Sequence, residues 1–315
     1  MRRFKMANEH IKALKQIIRL NNRNGLPILR CMAHSNGTLK ATNLTQMVEV
    51  EISTIDDGIW NETALDYGFR DDTKNTEFTL ADYPEVELGN LIQEVELDET
   101  DMAKIIRASE FVSNDLTRPV LTGVVLKGGH VYGTDGYKMY RDKISQEVTE
   151  MVNIPKDCVR LLKTVKADKQ GTWVMSVYED DQVVFTHGKF KLHTKTLYGN
   201  IPEYDRLIDN ARHYQYMVRV DMKQVKAKKT QVLWGDVDEQ KLYVANEDGT
   251  DKILISECLT ICEDELPDTP HREVVMPVAD RQHIVIKLEH LKMYKGKIDI
   301  YVDNIGTSPV NIEEV

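Results

Sequence analysis

Arg118-Pro119-Val120-Leu121-Thr122-Gly123-Val124-Val125-Leu126, followed by Gly133-Thr134-Asp135-Gly136-Tyr137-Lys138, decides how this chain is read, because its pattern occurs twice. Upstream, Leu26-Pro27-Ile28-Leu29 is followed by Ala41-Thr42-Asn43-Leu44. In both copies Pro precedes Thr by fifteen residues, and the copies stand 92 residues apart, Pro27 against Pro119. A fixed internal period marks a duplicated structural unit. This one is too long for a solenoid repeat and has the size of a small domain. A weaker third copy aligns Leu242-Tyr243-Val244-Ala245-Asn246 with Leu39-Lys40-Ala41-Thr42-Asn43 and with Val131-Tyr132-Gly133-Thr134-Asp135. Domain boundaries are then expected at 1–90, 91–212 and 213–315.

A chain of 315 residues has room for two or three such units. Its 41% hydrophobic and 29% charged residues are ordinary for a soluble globular protein. No apolar run reaches the length needed to cross a bilayer. The basic start, Met1-Arg2-Arg3-Phe4-Lys5-Met6, lacks the apolar stretch of a signal peptide. A cytoplasmic location without a membrane partner is expected. The four cysteines, Cys31, Cys158, Cys258 and Cys262, offer one C-x3-C pair with no matching Cys/His set, so reduced thiols are expected and no metal site.

The formal net charge is −10, but the basic residues are concentrated. Glu9 to Arg23 reads as a helix with Ile11, Leu14, Ile17 and Ile18 on one side. Lys12, Lys15, Arg19 and Arg23 recur on the other. In the second unit, Pro155 is suited to the first helical position, and Lys156, Arg160, Lys163 and Lys166 follow, with Val159, Leu161, Leu162 and Val165 for burial. Lys104 and Arg107 mark the helix that opens this unit. In the third, Lys223, Lys226, Lys228 and Lys229 follow Asp221 as a helix start. Basic helix faces in three units of an acidic chain point to a polyanion held through phosphates, without base readout. No aromatic interleaving suggests stacked single-stranded bases, so duplex is expected.

Between the helices the pattern alternates as short strands: Gln46 to Ile52, Thr172 to Val177, Gln182 to Thr186, Lys241 to Ala245 and Lys297 to Val302. Turns are expected at Asn36-Gly37, Gly128-Gly129, Glu179-Asp180-Asp181 and Asp248-Gly249. Runs of strands with one or two helices per unit indicate an α+β class.

These residues resemble the bacterial DNA polymerase III beta subunit family, the replicative sliding clamps. The second copy resembles the family's R-P-x-L-x-G strand and A-T-D-G-x-R-L signature. Leu197-Tyr-Gly-Asn-Ile-Pro-Glu-Tyr-Asp-Arg206 resembles the segment that closes its second domain, and Thr79-Leu-Ala-Asp-Tyr-Pro-Glu85 the equivalent in the first. Ser308-Pro-Val-Asn-Ile-Glu313 resembles a strand near the family's end. The resemblance implies a DNA clamp fold of three repeated domains, helices inside and sheets outside, in a homodimeric ring closed head to tail. It implies sequence-independent duplex DNA as a partner, and a DNA polymerase and clamp loader docking through short peptides. Arg23 and Lys156 match family DNA contacts; Lys12, Lys15, Arg19, Arg160 and Lys163 join them from helical spacing. The matching pocket positions are Leu121, Thr134, Gly136, Tyr137, Lys138 and Met139, with Ile208 and Pro309 nearby. Leu121 and Met139 would form the floor, and Thr134, Gly136 and Lys138 the rim.

Three departures qualify the match. Asp209 stands near a usual proline; the M-P-M-R-L-type closing strand is not found after Ile312-Glu313; and Ile52 to Thr79 is too short and polar for a second inner helix. The expectation is a shortened member, of bacterial or phage type. A clamp-like module that does not encircle DNA, such as a decoy or regulator of replication factors, remains the alternative. Catalysis is not expected. His187 and His193 share a face if the run is extended but have no carboxylate at ligand spacing. Thr134-Asp135-Gly136 has Thr42-Asn43-Leu44 as its counterpart in the other copy, and no phosphate-loop signature occurs. No cofactor is implied.

Overall fold

A computed structural model describes residues 7–21, 25–165 and 171–205 and, farther on, 216–223, 225, 231–236, 241–246, 250, 252–256, 260–261, 272–275, 278–280, 283–302 and 310–315. They form two compact units. One holds 1–109, 123–130 and 144–199; the other holds 110–122, 131–143 and 200–315. The architecture is α+β, as expected from the strand-rich pattern.

The first unit is a nine-stranded sheet under a layer of helices. Strands β1 (Cys31–Ser35), β2 (Thr38–Thr42), β3 (Gln46–Glu51), β4 (Gly58–Asn61) and β5 (Lys74–Asn75) belong to the first repeat. Strands β6 (Leu91–Leu97), β9 (Trp173–Tyr178), β10 (Gln182–His187) and β11 (Phe190–Lys195) belong to the second. Their order is β5-β4-β1-β2-β3-β11-β10-β9-β6, so one sheet crosses from repeat to repeat at β3–β11. Asn36 and Gly37, at φ 51 and 76, close the β1–β2 hairpin as the Asn-Gly pair predicts. Asp180 and Asp181, both at φ 59, close β9–β10. Gly128-Gly129 does not end a strand. It lies within β7 (Gly123–Thr134), where Gly128 at φ 55 absorbs an irregularity.

Helix α1 (Asn8–Asn21) contacts β2 and β3. Ala13, Leu14, Ile17 and Ile18 are fully buried, each large aliphatic contributing about 1.5–3 kcal/mol. The only helix between Ile52 and Thr79 is one turn, α2 (Ala64–Tyr67). Helix α3 (Glu99–Ala108) packs on β6; Asp98 caps it by accepting from the Asp101 amide at 2.7 Å. Helix α4 (Lys156–Thr164) packs on β11, on α1 and on α3. Pro155 is its cap, still in extended conformation (φ −55, ψ 140), not its first helical residue. The cause is local: Pro155 also ends the long strand β8 (Lys138–Pro155).

The second unit contains two sheets. One runs β16-β12-β20-β21-β17-β8-β7, with β12 (Tyr216–Asp221), β16 (Thr260–Ile261), β17 (Arg272–Val275), β20 (Lys297–Val302) and β21 (Val310–Glu314). The other runs β15-β14-β13-β19-β18, with β13 (Gln231–Asp236), β14 (Lys241–Asn246), β15 (Ile253–Ser256), β18 (Val278–Asp280) and β19 (His283–Lys287). A short helix, α5 (Leu288–Leu291), follows β19. Val220, Leu233, Leu242, Ile286, Leu288, Leu291, Ile298, Ile300 and Ile312 form its main core. The β15-β14-β13-β19 order repeats β3-β2-β1-β4, which is the third copy read from Leu242 to Asn246.

Candidate functional site

The two copies of the quoted motif fold alike. Pro27–Arg30 and Pro119–Thr122 are both 3-10 turns, burying Leu29 and Leu121. Thr42 Oγ1 donates to the Gln46 carbonyl at 2.7 Å and accepts from the Leu44 amide at 3.0 Å. Thr134 Oγ1 does the same with the Lys138 carbonyl at 2.7 Å and the Gly136 amide at 3.0 Å. Asn43 Oδ1 accepts from the amides of Thr45 and Gln46, and Asp135 Oδ1 from those of Tyr137 and Lys138. A short polar side chain at each position satisfies backbone donors that a tight turn would otherwise leave unpaired.

In the second copy this turn carries the expected pocket residues. Leu121 and Met139 are buried, 7% and 4% exposed, beside an exposed Gly136 and a Tyr137 that is 61% exposed. Tyr137 stacks on His290 of α5, ring centroids 5.8 Å apart. Burial pushes the His290 pKa down, Lys138 and Lys287 add to this, and Asp135 and Glu289 oppose it. Lys138 is a held cation: its Nζ donates to the Glu110 carbonyl and lies 5.1 Å from the Phe111 ring centroid. Phe111 in turn packs on Tyr140. Ile208, Asp209 and Pro309 lie outside the described residues. His290 and Phe111 escaped the sequence reading because each reaches the turn from a distant segment with no motif of its own.

Each copy is closed by a tyrosine segment, as the Ala-Asp-Tyr and Pro-Glu-Tyr runs suggested. Tyr83 donates to the Cys31 carbonyl at 3.1 Å, and Glu85 accepts from Lys40 at 2.9 Å. Tyr204 stacks on Tyr132, and Asp205 holds both the Tyr132 hydroxyl at 3.1 Å and Arg141 at 3.2 Å. Glu49, next to Lys40, lies 3.5 Å from His193 Nε2. Burial pushes its carboxyl up, but His193, Lys40 and Lys191 together outweigh that and hold it below the usual range. His187 and His193 do not share an extended run. The hairpin at Gly188 (φ 55) separates them, and His187 stacks on Trp173 at 4.9 Å. Among the described residues no cluster of His, Cys, Asp and Glu could hold a metal ion.

The basic residues of the first unit lie on neighbouring helices. Lys12 and Arg19 are exposed on α1, opposite its buried face, and Arg160 and Lys163 are exposed on α4, with Lys156 half-buried. Lys104 and Arg107 are half-exposed on α3. Two of these charges are partly offset. Lys15 pairs with Asp66 of α2, and Arg160 with Asp157 at 2.7 Å. The spacing within α1 could not reveal Asp66, which comes from another element. Between α3 and α4 lies a cavity of about 290 Å³ lined by Met102, Ile106, Leu162 and Trp173, with Glu99 and Lys163 also on its wall. Arg23, Lys166, Lys226, Lys228 and Lys229 lie outside the described residues, as do Cys258, Cys262 and the turn at Asp248-Gly249.

No family model matches the chain. It is 29% identical over 157 residues to the beta sliding clamp of Synechococcus elongatus, a match covering 46% of this chain and 41% of that protein. The chain thus matches well under two thirds of that curated relative. Among solved structures, the sliding clamp of Pseudomonas aeruginosa bound to griselimycin superposes with a TM-score of 0.71 at 14% identity, covering 96% of this chain and 95% of that one. The Thermotoga maritima DNA polymerase III beta subunit gives 0.69 at 12%, covering 98% and 93%. The griselimycin-bound clamp of Bartonella birtlesii gives 0.67 at 16%, covering 96% of each.

Proposed function

We propose, for a chain that is by fold a DNA polymerase III beta-type sliding clamp, that it works as a processivity factor: it encircles duplex DNA and tethers replication proteins. The observation that carries this reading is the helix layer of the first unit. Helices α1, α4 and α3 pack side by side and carry Lys12, Arg19, Arg160, Lys163, Lys104 and Arg107 on their outer surfaces. Such a surface neutralises phosphates without contacting bases, so it holds a duplex and still permits sliding. On this reading the protein is non-enzymatic, needs no cofactor and acts in the cytoplasm. It is built of three clamp domains, 1–90, 91–212 and 213–315, and two copies close a ring head to tail. Arg23 and Lys156 join the DNA-facing set. The turn at Thr134–Lys138, with Leu121 and Met139, receives short peptides of a polymerase and a clamp loader; Ile208 and Pro309 contribute to the same pocket.

Retention on nicked circular duplex, compared with the same duplex linearised and with a clamp loader present, tests encirclement. The ring is expected to stay on the circle and run off the ends of the linear form; equal retention refutes it. Replacing Lys12, Lys15 and Arg19 together by Glu is expected to lower retention at least about tenfold at low salt, through lost phosphate neutralisation, with folding intact.

One observation favours a second reading, a clamp-like module that does not encircle DNA. In the second repeat, α4 is followed by the three strands β9, β10 and β11. In the first, α2 is followed only by the two-residue β5 before β6 begins. The first repeat thus lacks the strands that would meet the edge strand β15 of another copy, where Ile253 and Leu254 are 63% and 43% exposed. A particle that stays monomeric at micromolar concentration in light scattering would support this reading over the ring.

A further inference from the structure

Successive repeats are joined each time by one strand in one register. Strand β11 of the second repeat lies antiparallel on β3, the strand leading out of the first threonine turn, with Thr194 opposite Gln46, His193 opposite Met47, Leu192 opposite Val48 and Lys191 opposite Glu49. Strand β17 lies antiparallel on β8, which leads out of the second turn. Here Val275 is opposite Lys138, Val274 opposite Met139, Glu273 opposite Tyr140 and Arg272 opposite Arg141. The repeat alignment equates Gln46 with Lys138 and Glu49 with Arg141, so the two registers coincide residue for residue. Their other neighbours correspond too: β11 is flanked by β10 and β9, β17 by β21 and β20.

The chain order does not correspond. Strand β11 comes directly after β10, through the hairpin at Gly188. Strand β17 is contributed from between β16 and β18, ahead of both strands that flank it in the sheet. The same slot is therefore filled in one repeat by a sequential hairpin strand and in the other by an inserted one. The insert is anchored: Arg272 and Glu273 are each 5% exposed, and Glu273 accepts a hydrogen bond from the Tyr294 hydroxyl.

We propose that the inserted strand β17, Arg272–Val275, forms the wall of the peptide-docking pocket beside Met139 and Lys138, so that partner affinity is set by this internal segment. The proposal rests on the clamp reading, which makes the Thr134–Lys138 turn a docking site. Val274 and Val275 occupy the register positions facing Met139 and Lys138, and are the first residues a docked peptide would sense along this edge.

The test uses the full chain and griselimycin, the ligand of two structurally similar clamps. Leu121→Asp is expected to abolish binding, and Val274→Ala and Val275→Ala each to weaken it about fivefold or more, at unchanged circular dichroism; truncating a buried contact by one or two methyl groups has effects of this order. Native-like binding by both valine variants, with Leu121→Asp inactive, overturns the role of β17 and leaves the pocket standing. Failure of the unsubstituted chain to bind overturns both. Should a valine variant fail to fold, hydrogen exchange of the unsubstituted chain decides: griselimycin is expected to slow exchange across 272–275, and no slowing refutes the proposal.

Discussion

The turns at Thr42–Gln46 and Thr134–Lys138 share their closing hydrogen bonds but differ in what surrounds them. In the first, Gln46 is buried and Leu44 holds φ 74, a left-handed conformation disfavoured for a branched aliphatic residue. In the second, Gly136 takes φ 92 without a side chain, Tyr137 stands out against His290, and Lys138 is tied to Glu110 and Phe111. The scaffold is common because backbone donors in a tight turn must be satisfied wherever it is used. The decoration differs because one turn is a joint and the other offers a surface.

Gly123→Ala should separate the copies most sharply. The corresponding residue of the first copy is Cys31, whose Sγ lies 3.7 Å from Asn61 Oδ1. In the second copy a Cβ on Gly123 would fall 2.0 Å from Asn153 Oδ1 and 2.8 Å from Leu197 Cδ1. Overpacking of this severity is expected to cost about 3 kcal/mol in chemical denaturation. A loss below about 1 kcal/mol would show that the closing segment at Leu197 yields easily.

Thr42→Val and Thr134→Val come next. Each removes a buried hydroxyl that bridges its turn, for an expected loss of about 1–3 kcal/mol. Matching losses would sharpen the equivalence of the turns. A cost confined to one copy would break it.

The third position of each turn should respond with opposite sign. Leu44→Gly is expected to stabilise by about 0.5–1 kcal/mol, by relieving a positive φ, and Gly136→Leu to destabilise by about 1 kcal/mol. Unfolding midpoints read both. If both changes destabilise, the exposed Leu44 has a packing role that its 55% exposure does not suggest.

The smallest effect is in pH. His290 is held below its usual pKa, first by burial, so the unfolded chain binds the proton more readily than the folded one. Stability should therefore fall as pH drops through about 6.5, the unfolded value, and level off below the folded one. His290→Phe should flatten this part of the profile and leave the first turn unaffected. An unchanged profile would remove His290 from the packing around Tyr137.

Much of the fold was legible because it is local or periodic. The spacing of Leu14, Ile17 and Ile18 placed α1 on its sheet, Asn36-Gly37 marked a hairpin, and the Pro-to-Thr spacing located both turns. The site was legible in part. Leu121, Thr134, Gly136, Tyr137, Lys138 and Met139 lie along one motif, so the stretch itself brings them together. Their supports did not show, because Phe111, Glu110 and His290 approach from other elements. The expected turn at Gly128-Gly129 failed for a related reason: pairing across β7 carries the strand through a dipeptide that in isolation signals a reversal.

The sequence by itself determined the duplication, the α+β class and the positions of the basic helix faces, since each is written within a window of neighbours and enforced by backbone hydrogen bonding and helical period. Only the tertiary structure decided that Asp66 pairs with Lys15, that β11 carries one sheet across two repeats, and that β17 fills the corresponding slot out of chain order. These depend on contacts between residues far apart in the chain. Many pairings of amphipathic strands satisfy the same local pattern, and the choice among them is made by packing and register in the folded whole.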